Sequence, residues 1–445
     1  MQKIKVITVA TADTPQLQAL IRSAKRHGMD LTVLGLGENW QGFGMKVILT
    51  REYLKTLTGY THFIFVDAYD TLFLKPVTEV PDYILFSAEK GCWPDADKAS
   101  EYPGISSQWK YLNSGTYSAP IDDYLFYTDN YPIVMADDDQ RYFTNMFLKE
   151  KDIFINDNCT LFQSYAFAAE GDFSITDVLT NNITGTQPAI IHFNGKCIEP
   201  KIYLMAEYST LQEVTERWQD TEAMAKEIHE TFIKKVNDNP KLNAHRTFVE
   251  NHIFGFGERS FHWMWNLIVK ELPKDFTFLE VGVFKGQVLS LVKLLADMNG
   301  KKIKRYGVTP LSTEGGVWES DYKKDIETIH NEFKLAKDYE LIVGLSEVPE
   351  VIKKAASLKL DVLYIDGGHD ERHIKNDIEN YAHLVKQGGY MVIDDSCNSM
   401  RMPFGYFQGI ESVTRIVDQK LPPVTPSKEW KFLFNVVHNR VYQRL

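Results

Sequence analysis

The sequence predicts an α/β protein of two layered halves joined by a helical stretch, and three observations predict it. Short apolar runs alternate with helical spacing from residue 3 to about 200. A second alternating series starts at Phe276. Between them, residues 203–273 are rich in Glu, Lys, Met and aromatics at helical spacing. Alternation of this kind marks a sheet covered by helices, and 445 residues exceed what one hydrophobic core usually spans. The expected domains are 1–202, a helical connector 203–273, and 274–445.

In the first half the expected strands are Lys3–Ala10, Leu31–Leu36, His62–Val66, Tyr83–Ser87 and Ala189–His192. The N-terminus reads as the first strand, its apolar stretch being too short for a signal peptide. The connector should hold two or three helices, broken at Asn237–Asn243 by Pro240. In the second half the series is strand Phe278–Val283, helix from Gln287, then strands Arg305–Val308, Tyr339–Gly344 and Leu360–Ile365. Helix His373–Lys386 and strand Tyr390–Asp394 complete it, an order that suits an open, doubly wound, mainly parallel sheet.

Composition excludes some function classes. The formal net charge of −11 disfavours nucleic acid and anionic membrane surfaces as partners. No apolar run reaches the roughly 18 residues of a membrane span. Cys92, Cys159, Cys197 and Cys397 are scattered without a Cys-x-x-Cys pair, so the expectation is a reduced, cytoplasmic chain.

The chemistry-bearing residues gather at strand ends. Phe63-Ile-Phe-Val-Asp67-Ala-Tyr69-Asp70 is an apolar run that stops at two carboxylates three residues apart. Such hard oxygen donors suit Mg2+ or Mn2+ carrying a diphosphate, and the tyrosine between them can stack on a base; an Asp-rich turn is the ordinary alternative. Thr11 follows the first strand, Glu89-Lys-Gly-Cys-Trp93 follows the fourth, and Leu112-Asn113-Ser-Gly115 reads as a glycine turn. Asp137-Asp138-Asp139-Gln140 precedes a helix-like run and would serve equally as an N-cap. His192 ends the last strand as a candidate third ligand.

These stretches, in order, resemble the glycosyltransferase domain of the procollagen lysyl hydroxylases. The carriers are Val-Ile-Thr-Val-Ala-Thr (6–11), Leu-Gly-Leu-Gly-Glu-Asn-Trp (34–40), Phe-Val-Asp-Ala-Tyr-Asp (65–70) and Phe-Ser-Ala-Glu-Lys-Gly-Cys-Trp-Pro (86–94). Tyr-Leu-Asn-Ser-Gly (111–115), Asp-Asp-Asp-Gln-Arg-Tyr-Phe-Thr (137–144) and His-Phe-Asn-Gly (192–195) complete the set. The resemblance implies a GT-A-type fold using a UDP-sugar donor and Mn2+. It places Asp67, Asp70 and His192 on the metal, Tyr69 against the uracil and Thr11 near the nucleoside. Trp93, Asn113, Asp138, Asp139 and Asn194 then surround the sugar and acceptor, with Lys46 and Gly195 counted among the donor-binding positions. Asp138 or Asp139 would orient or deprotonate the acceptor hydroxyl. Two departures are visible: the glycine-rich loop shortens to Gly-Phe-Gly-Met-Lys46, and Phe193 follows the histidine where the family has glycine. No hydroxylase domain follows, so a collagen substrate is not implied.

In the second half, Leu279-Glu280-Val-Gly282-Val-Phe-Lys-Gly286 closes a strand and opens a helix. Tyr364-Ile-Asp366-Gly-Gly-His369 and Val392-Ile-Asp394-Asp395 end two further strands. Residues 277 to about 398 look like a class I S-adenosylmethionine-dependent O-methyltransferase of the metal-using kind that acts on sugars. That likeness implies cofactor contacts at Glu280, Gly282, Gly286 and around Ser346. It puts Mg2+ on Asp366, Asp394 and Asp395, and makes His369 the general base. Thr309 stands where the family has an acidic residue for the ribose.

The sequence therefore reads as a bifunctional enzyme that adds a sugar to a saccharide or glycoconjugate acceptor and methylates a saccharide hydroxyl. The rival reading keeps the glycosyltransferase and makes the second half a non-catalytic acceptor-binding or dimerisation module, which would give a homodimer.

Overall fold

The computed structural model describes residues 2–175, 178–196, 199, 202, 207–311, 321–403 and 405–445. Cys197 lies outside them, while Cys92, Cys159 and Cys397 are free thiols. The chain divides into two units, Met1–Glu207 and Tyr208–Leu445. Among the described residues no helix is long and apolar enough to cross a membrane.

The first unit is built on a six-stranded sheet in the order β2-β1-β3-β6-β5-β7. Its strands are β1 Ile4–Val9, β2 Leu31–Leu34, β3 His62–Val66, β5 Ile84–Glu89, β6 Tyr111–Pro120 and β7 Ile153–Asn156. A small sheet of β4 Thr71–Phe73, β11 Ile190–His192 and β8 Phe162–Ser164 lies beside a hairpin of β9 Phe173–Ile175 and β10 Leu179–Asn181. All five residues of β3 are buried, as its unbroken apolar run requires of a central strand. Residues 112–115, expected as a glycine turn, are instead inside β6, which runs antiparallel to both β3 and β5. The polar Asn-Ser-Gly string survives in a strand because each polar atom finds a partner in the site described below.

The helix Pro15–Arg26 starts where Thr14 accepts the Leu17 amide and Pro15 takes the first turn. The helix Asp139–Lys149 starts on Asp138, whose carboxylate accepts the Arg141 amide. The Asp string thus caps a helix and still presents Asp139 inward.

The second unit holds a seven-stranded sheet in the order β14-β13-β12-β15-β16-β18-β17. The strands are β12 Asp275–Val281, β13 Lys302–Thr309, β14 Tyr339–Val343, β15 Leu360–Ile365, β16 Val385–Ile393, β17 Trp430–Val436 and β18 Asn439–Arg444. The first five are parallel and β17–β18 is an antiparallel hairpin. Strand order reverses between β12 and β15, so their C-terminal ends flank the crevice where ligands of such sheets bind.

Three expectations change here. The helix expected to reach Lys386 ends at Tyr381, because Val385 already begins β16. The terminal hairpin was not anticipated. The boundary falls at 207/208, and the helices Leu211–Arg217, Glu222–Asp238, Pro240–His252 and Phe261–Glu271 are not a separate connector. They share one core with the second sheet: Val214, Phe232, Leu242, Trp265 and Ile268 pack in the cluster that holds Phe278, Leu289 and Leu433. Nine consecutive residues of one helix, Phe261 to Val269, are buried. A helix buried on every face over such a run lies inside a core, with His262 and Asn266 as its buried polar members.

This helical layer hides a chain of imidazoles. His245 Nδ1 lies 2.9 Å from His262 Nε2, His245 Nε2 is 3.0 Å from Ser290 Oγ, and His229 Nδ1 is 3.0 Å from Ser260 Oγ. Burial pushes His245 down to about 3, with Arg246 and His330 adding to it, and pushes His229 and His330 down to about 4. Folded values below the unfolded value of 6.5 mean that the unfolded chain binds more protons. This contribution is complete above pH 6.5 and is lost as pH falls. In urea unfolding between pH 7 and 5 each such histidine should subtract up to about 1.4 kcal/mol per pH unit, against an opposite contribution from the raised carboxyls of Glu280, Asp366 and Asp394. His245→Gln should flatten that slope.

Candidate functional site

In the first unit, β3, β6 and β11 deliver the site. Asp67 follows β3, Asp70 lies in the turn before β4, and His192 ends β11. His192 Nε2 is 3.6 Å from Asp67 Oδ2 and 3.3 Å from Asp70 Oδ2. The three ligand atoms fall within 4.8 Å of one another. Two carboxylates and an imidazole so placed fit a divalent ion such as Mn2+. Gly115 makes the approach feasible: a Cβ there would meet His192 Cε1 at 2.0 Å and Asp67 Oδ2 at 2.8 Å.

The ring is aimed by its neighbours. His192 Nδ1 lies 2.9 Å from Asn113 Oδ1, which also accepts the Gly115 amide, so Nε2 faces the carboxylates. Phe193, the departure beside it, ties its amide to the Asp70 carbonyl at 2.7 Å. Lys46 Nζ lies 2.8 Å from both Asp67 Oδ1 and Asp139 Oδ2. Burial would lower the lysine, but Asp139 and Asp67 raise it. Burial raises the Asp67 carboxyl against Lys46. Burial also works to raise Asp70, yet His192 outweighs it and the carboxyl stays below its ordinary range. For His192 burial is likewise overcome, by Asp70 and Asp67, and the imidazole is raised.

Behind the ligands is a buried hub absent from the sequence-derived set. Glu89 accepts from Asn113 Nδ2 at 3.2 Å, Gln140 Nε2 at 2.5 Å and Asn194 Nδ2 at 2.8 Å. Burial raises its carboxyl against these bonds. Asn194 also accepts the Tyr165 and Ala166 amides at 3.0 and 2.9 Å, so its amide is fully engaged in holding the site. Gln140 donates as well to the Trp93 carbonyl at 2.9 Å, and Gly195 turns the chain with φ of 69°. The Tyr69 hydroxyl meets the Thr11 and Ala12 amides at 3.1 Å, and its ring remains 37% exposed beside them. Trp93 is 67% exposed.

In the second unit, Asp366 follows β15 and Asp394-Asp395 follow β16. Burial, then repulsion from Asp394 and Asp395, raises Asp366, and burial, then repulsion from Asp395, raises Asp394 to about 7. Tyr364 donates to Asp366 Oδ2 at 3.2 Å and Asn439 to Asp394 Oδ1 at 2.6 Å. His369 Nε2 is 3.4 Å from Asp395 Oδ2, with a side chain 53% exposed. The structure brings His438, from the turn of the β17–β18 hairpin, together with Asp394 and Asp395 within 4.8 Å, and Asp366 falls outside that group. No motif marked it, since it stands 43 residues beyond Asp395. Burial lowers His438, while Asp395 and Glu258 oppose the shift. Such a donor set accommodates a divalent ion.

Glu280, the last residue but one of β12, is buried, and its Oε2 has no hydrogen-bond partner among the described residues. Burial, then Asp366, raises it well above the ordinary range. An orphaned buried acceptor fits a ligand bearing hydroxyl or ammonium donors. Gly282, at φ 102°, lets β12 meet β15: a Cβ would sit 1.8 Å from the Asp366 carbonyl. Gly286 begins the helix Gln287–Met298 at φ 83°. The Thr309 hydroxyl accepts the Leu311 amide at 3.1 Å, and the Ser346 carbonyl accepts from Tyr381 at 2.7 Å.

Comparison with known proteins finds a different family for each half of the chain. Residues 1–219 match the family described as the PLOD GT domain, and residues 279–396 match a methyltransferase domain family. A procollagen-lysine,2-oxoglutarate 5-dioxygenase of Drosophila melanogaster is 34% identical over 223 residues, covering 43% of this chain and 30% of the relative. A multifunctional procollagen lysine hydroxylase and glycosyltransferase of Caenorhabditis elegans is 30% identical over 225 residues, covering 44% and 31%. The chain thus spans about 30% of the length of these relatives. A crystal structure of an O-methyltransferase from Bacillus cereus in complex with SAH covers 52% of this chain and all of its own, at 9% identity and a TM-score of 0.35.

The chain carries a glycosyltransferase domain like that of the procollagen lysyl hydroxylases, followed by a Rossmann-like methyltransferase domain.

Replacing Gly115 with Ala should push His192 off the carboxylates while leaving the sheet intact. Calorimetric Mn2+ affinity at this site should fall at least about tenfold, with far-UV circular dichroism unchanged.

Proposed function

We propose that the first domain transfers a hexose from a UDP-sugar to a hydroxyl of a saccharide or glycoconjugate acceptor, with Mn2+, and that the second methylates a saccharide hydroxyl with S-adenosylmethionine. The observation that carries the first part is the convergence of Asp67, Asp70 and His192 with Lys46 alongside.

Asp67, Asp70 and His192 would hold Mn2+, which supplies charge neutralisation for a departing diphosphate. Lys46 adds a fixed positive charge and ties Asp67 to Asp139. Tyr69, locked by the Thr11 and Ala12 amides, offers its ring to the uracil. Asp139 is committed to Lys46 and serves to position. Asp138 gives one oxygen to the Arg141 amide and keeps the other to orient or deprotonate the acceptor hydroxyl. Asn113 and Asn194 act through Glu89 and His192, holding the geometry from behind.

In the second domain Glu280, Gly282 and Gly286 border the S-adenosylmethionine crevice, with Ser346 further along the sheet edge. Asp366, Asp394 and Asp395 would hold a divalent ion, Mg2+ in the simplest case, which acidifies the acceptor hydroxyl. His369, half-exposed beside Asp395, would take its proton. One observation favours the non-catalytic alternative: the Thr309 side chain is bound to its own loop and lends no carboxylate to a ribose.

Two experiments decide. Asp70→Asn removes a ligand charge without changing shape and should reduce Mn2+-dependent UDP-sugar hydrolysis at least about a hundredfold; full turnover in that variant would refute the site. Calorimetry should show S-adenosylmethionine binding, and labelled-methyl transfer to a glycosylated acceptor should depend on His369. Absence of binding would leave the acceptor-binding module as the reading for the second domain.

A further inference from the structure

We infer that His438 is a ligand in the metal site of the second domain, and that its imidazole shifts this site from Mg2+ towards Mn2+. This rests on the methyltransferase reading only for the identity of the reaction; the metal site is argued from its own geometry.

The hairpin between β17 and β18 holds His438 against the end of β16, where the Ser396 amide donates to the His438 carbonyl at 2.9 Å. The residue is 4% exposed. Its ring stands between Phe261 and Phe407, with centroids 4.9 and 5.2 Å away and both rings edge-on. Phe261 comes from the buried helix and Phe407 from the loop before Gly409, so the ring is walled on both sides. Its Nε2 is left facing Asp394 Oδ1 at 3.3 Å and Asp395 Oδ1 at 3.8 Å. Donors sharing an ion at about 2.1 Å stand about 3 Å apart, and these separations need only a small adjustment. The first domain repeats the pattern: His192 Nε2 is 3.3 and 3.6 Å from its two carboxylates.

Neighbouring groups support the assignment. Asn439, next in sequence, donates at 2.6 Å to Asp394 Oδ1, the oxygen that faces His438, and so fixes its position. The backbone of Asp395 has φ of 53°, a left-handed conformation that aspartate tolerates, and Gly409 lies so close that a Cβ would meet the Asp395 carbonyl at 2.5 Å. The fold therefore fixes the Asp395 backbone, and its two oxygens lie 3.8 Å from His438 Nε2 and 3.4 Å from His369 Nε2. Among the described residues no lysine or arginine pairs with Asp366, Asp394 or Asp395, in contrast to Asp67, which has Lys46. Mg2+ takes oxygen almost exclusively, whereas an imidazole donor favours Mn2+ and later transition ions.

The test uses the full chain with Asp70→Asn and His192→Gln silencing the first site, and Mn2+ as the probe. Pulsed electron paramagnetic resonance should show one bound Mn2+ with nitrogen modulation from a coordinated imidazole. That modulation should survive His369→Gln and vanish in His438→Gln, and Mn2+ affinity should fall at least about tenfold in His438→Gln only. No bound Mn2+, no nitrogen modulation, or modulation that persists in His438→Gln would overturn the inference. The parent spectrum requires no change at His438, so misfolding of that variant leaves the first two outcomes decisive. S-adenosylmethionine calorimetry on the same samples keeps the two claims apart: nitrogen-coordinated Mn2+ without cofactor binding removes the methyltransferase reading alone, and cofactor binding with all-oxygen Mn2+ removes the inference alone.

Discussion

Carboxylates gathered at the ends of neighbouring strands repel one another, and burying them demands a compensating positive charge. That constraint organises both halves. In the first domain Lys46 answers it permanently, bridging Asp67 and Asp139. His192 then faces the remaining charge on Asp70. In the second domain the compensation is left to imidazoles and to whatever cation arrives. The surrounding fold follows: glycine at 115 and 282 so that chains can come close, and amide side chains behind the ligands so that none rotates away.

Much of this was legible in the sequence, for identifiable reasons. An apolar run ending in Asp67-Ala-Tyr-Asp70 reads as a buried strand delivering polar groups at its end, and β3 is that strand. The alternation of apolar runs and helical spacing after Phe276 made the parallel sheet legible, although polar residues such as Glu280 and Arg305 interrupt its strands. The Asp138-Asp139 pair was ambiguous between cap and site, and in the structure Asp138 caps the helix while Asp139 is buried against Lys46.

What escaped was non-local. Asn113 to Gly115 look like a turn because strands seldom contain such residues, and only the contacts to His192, Glu89 and Gln140 explain their place in β6. Glu89 stood inside a quoted motif, yet its function as a hub requires three partners from three separate elements. The helices from 211 to 271 read as a linker because their apolar stripe names no partner; the partner is the second sheet. His438 depends on an antiparallel hairpin closing beside β16, a pairing that local periodicity does not specify.

The imidazole in each acidic cluster has a consequence for how the two halves would be run together. Sites built only from oxygens draw on the abundant pool of Mg2+, while sites that include nitrogen respond to a scarcer transition ion. Two such sites on one polypeptide would share a single supply. When that ion is depleted, extension and methylation would halt in step, and its return would restart both.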